Sequence, residues 1–159
     1  MPSVLMVCLG NICRSPMAEA VLQDIVNKRG YKDFKVDSAG TAGYHIGEEP
    51  DERTTAVCVK HGVPINSTCR QLARSDFDTF DYILAMDSWG NLKNIQKVQP
   101  KNSKAKVALF GSFDDGKDIA DPYYGEEQGK DGFDKTYEQC VRYSEALLKE
   151  MGYPSNPKM

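Results

Sequence analysis

Apolar residues along the chain fall into four short runs, separated by stretches with helical spacing. Val4-Leu5-Met6-Val7-Cys8-Leu9 is rich in strand formers and stops at Gly10-Asn11, the pattern of a strand buried on both faces. Ser15-Pro16 then predicts a helix start, with Ser15 as N-cap and Pro16 in the first turn. Glu19 adds an acidic group near the positive end of that helix. Met17, Val21 and Ile25 recur at helical spacing beside Leu22 and Val26, and Gly30 ends the helix. Phe34 to Ser38 reads as a second strand running into a glycine-dotted loop from Gly40 to Gly47. Asp51 to His61 reads as a helix closed at Gly62, with His61 at its end. Tyr82 to Met86 is the third strand, Trp89 to Val98 a short helix, and Val107 to Phe110 the fourth strand. A polar loop from Gly111 to Gly132 leads to a last helix over Phe133 to Met151, with Tyr137, Val141, Ser144 and Leu148 as its buried stripe.

Strands alternating with helices predict right-handed βαβ units, hence an α/β fold of three layers with a parallel sheet flanked by helices. With no repeat, linker or low-complexity tract, the chain reads as one domain over residues 1–153, and residues 154–159 as a flexible tail. Ligands of such open sheets sit beyond the carboxyl ends of the strands. Cys8, Ser38 and Asp87 all fall near strand ends, which predicts that they share one rim.

Bulk properties narrow the classes. The net charge of -3 argues against a nucleic-acid partner, which calls for a basic excess or stripe. It leaves room for one positive pocket, so an anionic substrate is compatible with an acidic chain. No run approaches the roughly 18 apolar residues of a membrane span. Five scattered cysteines, Cys8, Cys13, Cys58, Cys69 and Cys140, give no disulfide frame and no zinc spacing, and predict a reducing, cytoplasmic setting.

The segment that carries chemistry is Cys8-Leu9-Gly10-Asn11-Ile12-Cys13-Arg14-Ser15, a Cys, five residues, an Arg and a hydroxyl residue, leaving a strand and entering a helix. A turn of this kind points successive backbone N–H groups into one concavity, and the helix N-terminus adds partial positive charge to it. Gly10 permits the turn and Asn11 tolerates left-handed angles. A thiol facing that concavity ionises readily, because positive potential favours the thiolate. Arg14 offers a planar fork that matches two phosphate oxygens. Phosphoryl transfer spreads charge over three equatorial oxygens, so a ring of N–H donors with one Arg suits it. Ser15 can hydrogen-bond the sulfur and ease its departure. An acid for the leaving group is also needed. Asp121-Pro122-Tyr123-Tyr124 supplies a carboxylate and two rings on the long loop, although read alone an Asp-Pro pair is a turn signal.

Together these segments resemble the low-molecular-weight protein tyrosine phosphatases over nearly the whole chain. Val7 to Pro16 is similar to that family's phosphate loop. Asp37-Ser38-Ala39-Gly40-Thr41, Tyr82 to Asp87 and Asp121 to Gly125 resemble its other signatures, in order. The resemblance implies a four-stranded parallel sheet, a phosphate loop between the first strand and first helix, no metal or other cofactor, and hydrolysis of phosphotyrosine or aryl phosphates through a phosphocysteine. Acid phosphatase activity goes with it. Cys8 would attack, Arg14 bind phosphate, and Asp121 act as acid and then base. Leu9, Gly10, Asn11, Ile12 and Cys13 would form the phosphate loop, with Asn11, Ser15 and Ser38 bracing one another. Tyr44, Tyr123 and Tyr124 would line the slot for the substrate ring, the alternative for Tyr44 being an exposed loop tyrosine. Cys13 would trap oxidised Cys8 as a disulfide, against the alternative of a small buried filler at the loop base. One departure is Ser67, where the family often has a His, which implies a looser network around Asn11 and Ser38. Partners implied are tyrosine-phosphorylated proteins or small aryl phosphates, with no nucleic acid, no membrane span and a monomer capable of weak self-association.

Two rivals use the same loop. A thiol-coupled arsenate reductase relays oxidation through further cysteines in mid-chain, and Arg70 to Lys106 contains none. A non-catalytic phosphotyrosine-binding module would need neither thiolate nor acid. A nucleotide P-loop is excluded, since no Gly-x-x-x-x-Gly-Lys-Ser/Thr follows a strand.

Overall fold

Every residue of the first strand, β1 (Ser3–Cys8), is buried, and this strand organises the rest. The computed structural model describes residues 2–10, 13–31, 33–88, 90–119 and 129–153, with the side chains of residues 129–131 left aside. Around β1 the elements run α1 (Arg14–Lys28), β2 (Lys35–Gly40), α2 (Glu52–Lys60), α3 (Asp76–Thr79), β3 (Tyr82–Ala85), α4 (Asn91–Val98), β4 (Lys106–Leu109) and α5 (Gly129–Glu150). The four strands form one parallel sheet in the order β2-β1-β3-β4.

Alternation along β1 divides the core. Val4, Met6 and Cys8 face a layer with Met17 and Val21 of α1, Cys58 of α2, and Tyr143 and Leu147 of α5. Leu5 and Val7 face the other layer with Phe77 of α3 and Ile95 of α4. Period-two projection is a property of the strand backbone, so an apolar residue at every position serves both faces. Each fully buried side chain of this kind stabilises the fold by about 2 kcal/mol.

Connections from β1 lead to β2 on one side, and those from β3 lead to β4 on the other. The sheet therefore has its topological switch point between the carboxyl ends of β1 and β3, where such folds open a ligand crevice. Cys8 ends β1 and pairs in register with Gly40, the end of β2.

Several boundaries differ from the expectation. The second strand begins at Lys35 and extends to Gly40, because Cys8 still offers it a partner. Ser38 is consequently inside the strand, opposite Met6. Phe110 leaves the fourth strand for a 3-10 turn over Phe110–Phe113. Its Gly111 allows close approach, since a Cβ there would stand 2.0 Å from the Lys117 carbonyl oxygen. The last helix starts at Gly129. Its buried face runs through Phe133, Cys140, Tyr143, Ser144, Leu147 and Leu148, so the stripe is centred on Cys140 and Tyr143, with Tyr137 and Val141 at its margin. The short α3 carried no periodic signal in the sequence, and Trp89 lies outside the described residues. His61 does end α2, and its ring stacks on Tyr137 at 4.0 Å. No helix among the described residues is long and apolar enough to cross a membrane.

Candidate active site

At the switch point, the chain turns from β1 into α1 and brings the nucleophile candidate and its neighbours together. Cys8 is buried, with its Sγ 3.0 Å from the Ser15 Oγ. Ser15 lies in the first turn of α1 and is itself fully buried. The helix begins at Arg14 with Cys13 in the cap position and no side-chain cap, so Ser15 is not the N-cap that the sequence suggested. Its hydroxyl is used instead between the Cys8 sulfur and the Ala39 carbonyl, 3.4 Å away. A hydroxyl with an acceptor on each side can donate to the sulfur when that sulfur is a thiolate.

Backbone bonds fix the loop from outside. Thr41 N–H donates to the Cys8 carbonyl at 3.0 Å and Ala42 N–H to the Leu9 carbonyl at 2.9 Å, which extends the β1–β2 pairing past the strand ends. Cys13 is buried, and its carbonyl accepts from Thr54 of α2 at 3.4 Å and from Met17 N–H at 3.3 Å. Leu9 and Gly10 are half-buried, whereas Asn11 and Ile12 lie outside the described residues.

Arg14 is 4% exposed although charged. Its Nη1 donates to Asp87 Oδ2 at 2.9 Å and to the Ile119 carbonyl at 2.9 Å. A buried guanidinium without such acceptors would be costly, so these bonds are what hold it beside the loop. Asp87 follows β3, and its Oδ1 accepts from the N–H groups of Gly90 and Asn91 at 3.0 and 2.9 Å at the start of α4. Burial alone would raise the Asp87 carboxyl, but the Asn91 and Gly90 N–H groups and the Arg14 guanidinium hold it below the usual carboxylate range. Ile119 N–H in turn donates to the Met86 carbonyl at 2.8 Å, which ties the segment after the 3-10 turn to the end of β3.

Behind the loop stands a second group of side chains. Ser38 Oγ donates to Glu19 Oε1 at 2.5 Å. Burial pushes the Glu19 carboxyl up to about 7, with Ser38 and Arg70 opposing the rise and Asp37 adding to it. Glu19 is thus a half-buried acceptor for Ser38 rather than the free charge at the helix end that the sequence had suggested. Among the described residues Ser38 bonds Glu19 and Ser15 contacts Cys8, while Asn11, expected to brace them both, lies outside the described residues. Ser67 Oγ is buried and has no hydrogen-bond partner among the described residues, consistent with a side chain too short to join Ser38. Arg70 closes the group with bonds to Asp37 Oδ2 and Asp76 Oδ2, both 3.0 Å.

Of the ring-lining candidates, Tyr44 is 70% exposed on the loop after β2. Asp121, Tyr123 and Tyr124 lie outside the described residues. Sequence reasoning had put Asp87 on the rim without a role, and the ion pair with Arg14 supplies one. The signal was its place after β3, matching that of Cys8 after β1. The Ile119 carbonyl left no signal, since any residue has one.

The fold brings a buried thiol, a hydroxyl and a buried guanidinium together at the switch point of a parallel α/β sheet. Residues 3–154 match the family model described as low molecular weight phosphotyrosine protein phosphatase. A Schizosaccharomyces pombe protein named low molecular weight phosphotyrosine protein phosphatase is 49% identical over 153 residues, covering 93% of this chain and 96% of the relative. The crystal structure of a protein tyrosine phosphatase from Entamoeba histolytica, with Hepes in its active site, superposes with a TM-score of 0.87 at 35% identity, covering 96% of this chain and 97% of that one. A Drosophila arginine phosphatase superposes with a TM-score of 0.86 at 37% identity, covering 93% and 96%. The chain belongs to the low molecular weight phosphotyrosine protein phosphatase family, and is a phosphatase of that class.

Proposed function

We propose that Cys8 hydrolyses phosphotyrosine in two displacements. The Cys8 thiolate attacks phosphorus, the S–P bond forms and the P–O bond to the aryl group breaks. Asp121 gives its proton to the leaving phenoxide. Water then attacks the phosphocysteine, Asp121 takes the proton from it, and the S–P bond breaks to release phosphate and the thiolate. Ser15 donates a hydrogen bond to the departing sulfur, which the 3.0 Å contact supports. Arg14 clamps the phosphoryl oxygens while Asp87 orients it, and the N–H groups of Leu9 to Ser15 complete the cradle.

The observation that carries this reading is the single turn on which Cys8, Ser15 and the buried Arg14 converge. Support for Asp121 is indirect: Ile119, two residues before it, is bonded to Arg14 and to the end of β3. Substrates are tyrosine-phosphorylated proteins, with small aryl phosphates accepted because the loop itself needs only the phosphate. Five buried, free cysteines suit a reducing cytoplasm.

Phosphate release from an aryl phosphate and a phosphotyrosine peptide tests the proposal, with phosphoserine and phosphoarginine peptides beside them. Activity is expected to be abolished by Cys8→Ser, to fall by about a hundredfold or more with Asp121→Ala, to be blocked by vanadate and to be unchanged by EDTA. Preferred turnover of phosphoarginine would reassign the leaving group. Well-folded, reduced protein that binds phosphotyrosine without releasing phosphate would make this a recognition module.

A further inference from the structure

A groove of about 610 Å³ opens next to the phosphate loop, between the loop after β2, the Gln71–Arg74 stretch and α4. Leu9, the residue after Cys8, lines it, so the groove begins where the nucleophile's loop turns away. Its floor includes the fully buried Phe77 and the half-buried Leu72. Tyr44 and Val98 line it while 70% and 58% exposed, unusual exposure for side chains of that size.

Charge separates this groove from the surface around it. Arg74 and Lys97 reach it from different elements, and no carboxylate among the described residues lines it, in a chain that holds 23 acidic residues against 20 basic ones. Neither Arg74 nor Lys97 is in an ion pair with the described residues. A cationic recess with an apolar floor, contiguous with a phosphate loop, complements an acidic chain that carries the phosphoryl group.

We propose that this groove is the subsite for a residue within two positions of the phosphotyrosine in a peptide substrate, and that it selects a Glu or Asp there. An extended peptide advances about 3.3 Å per residue, so a neighbour two positions away lies about 7 Å along the chain from the phosphotyrosine, within reach of an adjoining groove. The aliphatic stem of Glu rests on Leu9 and Leu72 while its carboxylate meets Arg74 and Lys97. This rests on the phosphatase reading above.

The test is kcat/KM for phosphotyrosine peptides in which each flanking position is in turn Glu, Ala or Lys, with an aryl phosphate lacking any flank as internal control. At low salt the best Glu peptide is expected to exceed the matching Lys peptide by about fivefold to tenfold, as two exposed charge contacts allow. That ratio shrinks as salt is raised. Combining Arg74→Glu with Lys97→Glu should invert the preference while aryl phosphate turnover stays within about twofold of wild type. Equal turnover of Glu and Lys peptides overturns the proposal, as does an unchanged preference in the double variant or an equal loss on both substrates. Should the aryl phosphate itself not be turned over, the phosphatase reading fails separately. Binding of the same peptides to Cys8→Ser protein by calorimetry then decides the groove, tighter Glu peptides supporting it and equal affinities removing it.

Discussion

Arg14 and Asp87 meet across the switch point of the sheet, Nη1 to Oδ2 at 2.9 Å, with one residue beginning α1 and the other bonded to the start of α4. The pair joins the two segments that flank the crevice, so the guanidinium proposed to hold the phosphate is aimed from the end of the neighbouring strand. Asp87→Asn keeps an oxygen for the α4 N–H groups and removes the charge facing Arg14. Its kcat/KM for an aryl phosphate is expected to fall by about tenfold to a hundredfold, as for loss of a charge-assisted hydrogen bond. Asp87→Ala should in addition lower stability by about 1 kcal/mol through the lost bonds to the Gly90 and Asn91 N–H groups. Because the Asp87 carboxyl lies below its ordinary 3.8, its stabilisation is in place above that value and is lost as pH falls through the lower folded-state value. Urea melts from pH 5 downward on wild type and Asp87→Asn check this, and parallel acid limbs would count against it.

Glu19 gives the opposite sign. Its carboxyl is raised from 4.5 to about 7, chiefly by burial. Between those values the unfolded chain has lost the proton that the folded chain keeps, so stability is full below 4.5 and declines as pH rises toward about 7. Glu19→Gln still accepts from Ser38 and cannot ionise, so it should flatten that decline and be more stable than wild type above neutrality, by on the order of 2 kcal/mol. Denaturation midpoints at several pH values would show it, and a variant whose slope matches wild type would remove the buried-acid reading.

Thiol reactivity should be uneven. Burial raises Cys58 and Cys69 to about 11, with Glu48 and Cys8 adding to the rise at Cys69, and raises Cys140 further still. Iodoacetamide at pH 7.5 is expected to modify Cys8 first and leave those three intact in the folded protein. Peptide mapping also tests the Cys13 proposal, since mild peroxide should give a Cys8–Cys13 bridge. A bridge through another cysteine, or a terminal sulfinic acid on Cys8, would restrict Cys13 to packing.

Gly111→Ala places a methyl 2.0 Å from the Lys117 carbonyl oxygen, which is backbone and cannot swing aside. The cost is expected at about 1–3 kcal/mol or more. Displacement of the following stretch, which holds Ile119 against Arg14, should also raise KM for an aryl phosphate. A variant with unchanged melting would mean that the turn relaxes freely.

Sequence pattern carried the sheet well because β1, β3 and β4 are short, largely apolar runs and β2 begins in an alternating stretch too short for a helix. It placed Cys8, Arg14 and Ser15 on one turn as well, since a strand ends and a helix begins around that spacing. What it missed depends on long-range placement. Ser15 looked like a cap because a Ser before a Pro starts many helices, whereas here the sulfur of Cys8 competes for its hydroxyl. Glu19 looked like a dipole partner because its burial against Ser38 is set by β2, far along the chain. The Asp87–Arg14 pair joins residues 73 apart, which no local pattern reports.

Acid-quenched reaction of the Asp121→Ala variant with an aryl phosphate, followed by mass mapping of the peptide holding Cys8, tests the two-displacement account most directly. With an aryl phosphate whose phenol is acidic enough to leave without a proton, loss of Asp121 spares the first step and slows the second, so the account predicts a phosphoryl group on Cys8 and a burst of phenol that matches it in amount. Phosphate released with no burst and no phosphorylated Cys8, or a phosphoryl group on a different residue, would contradict it.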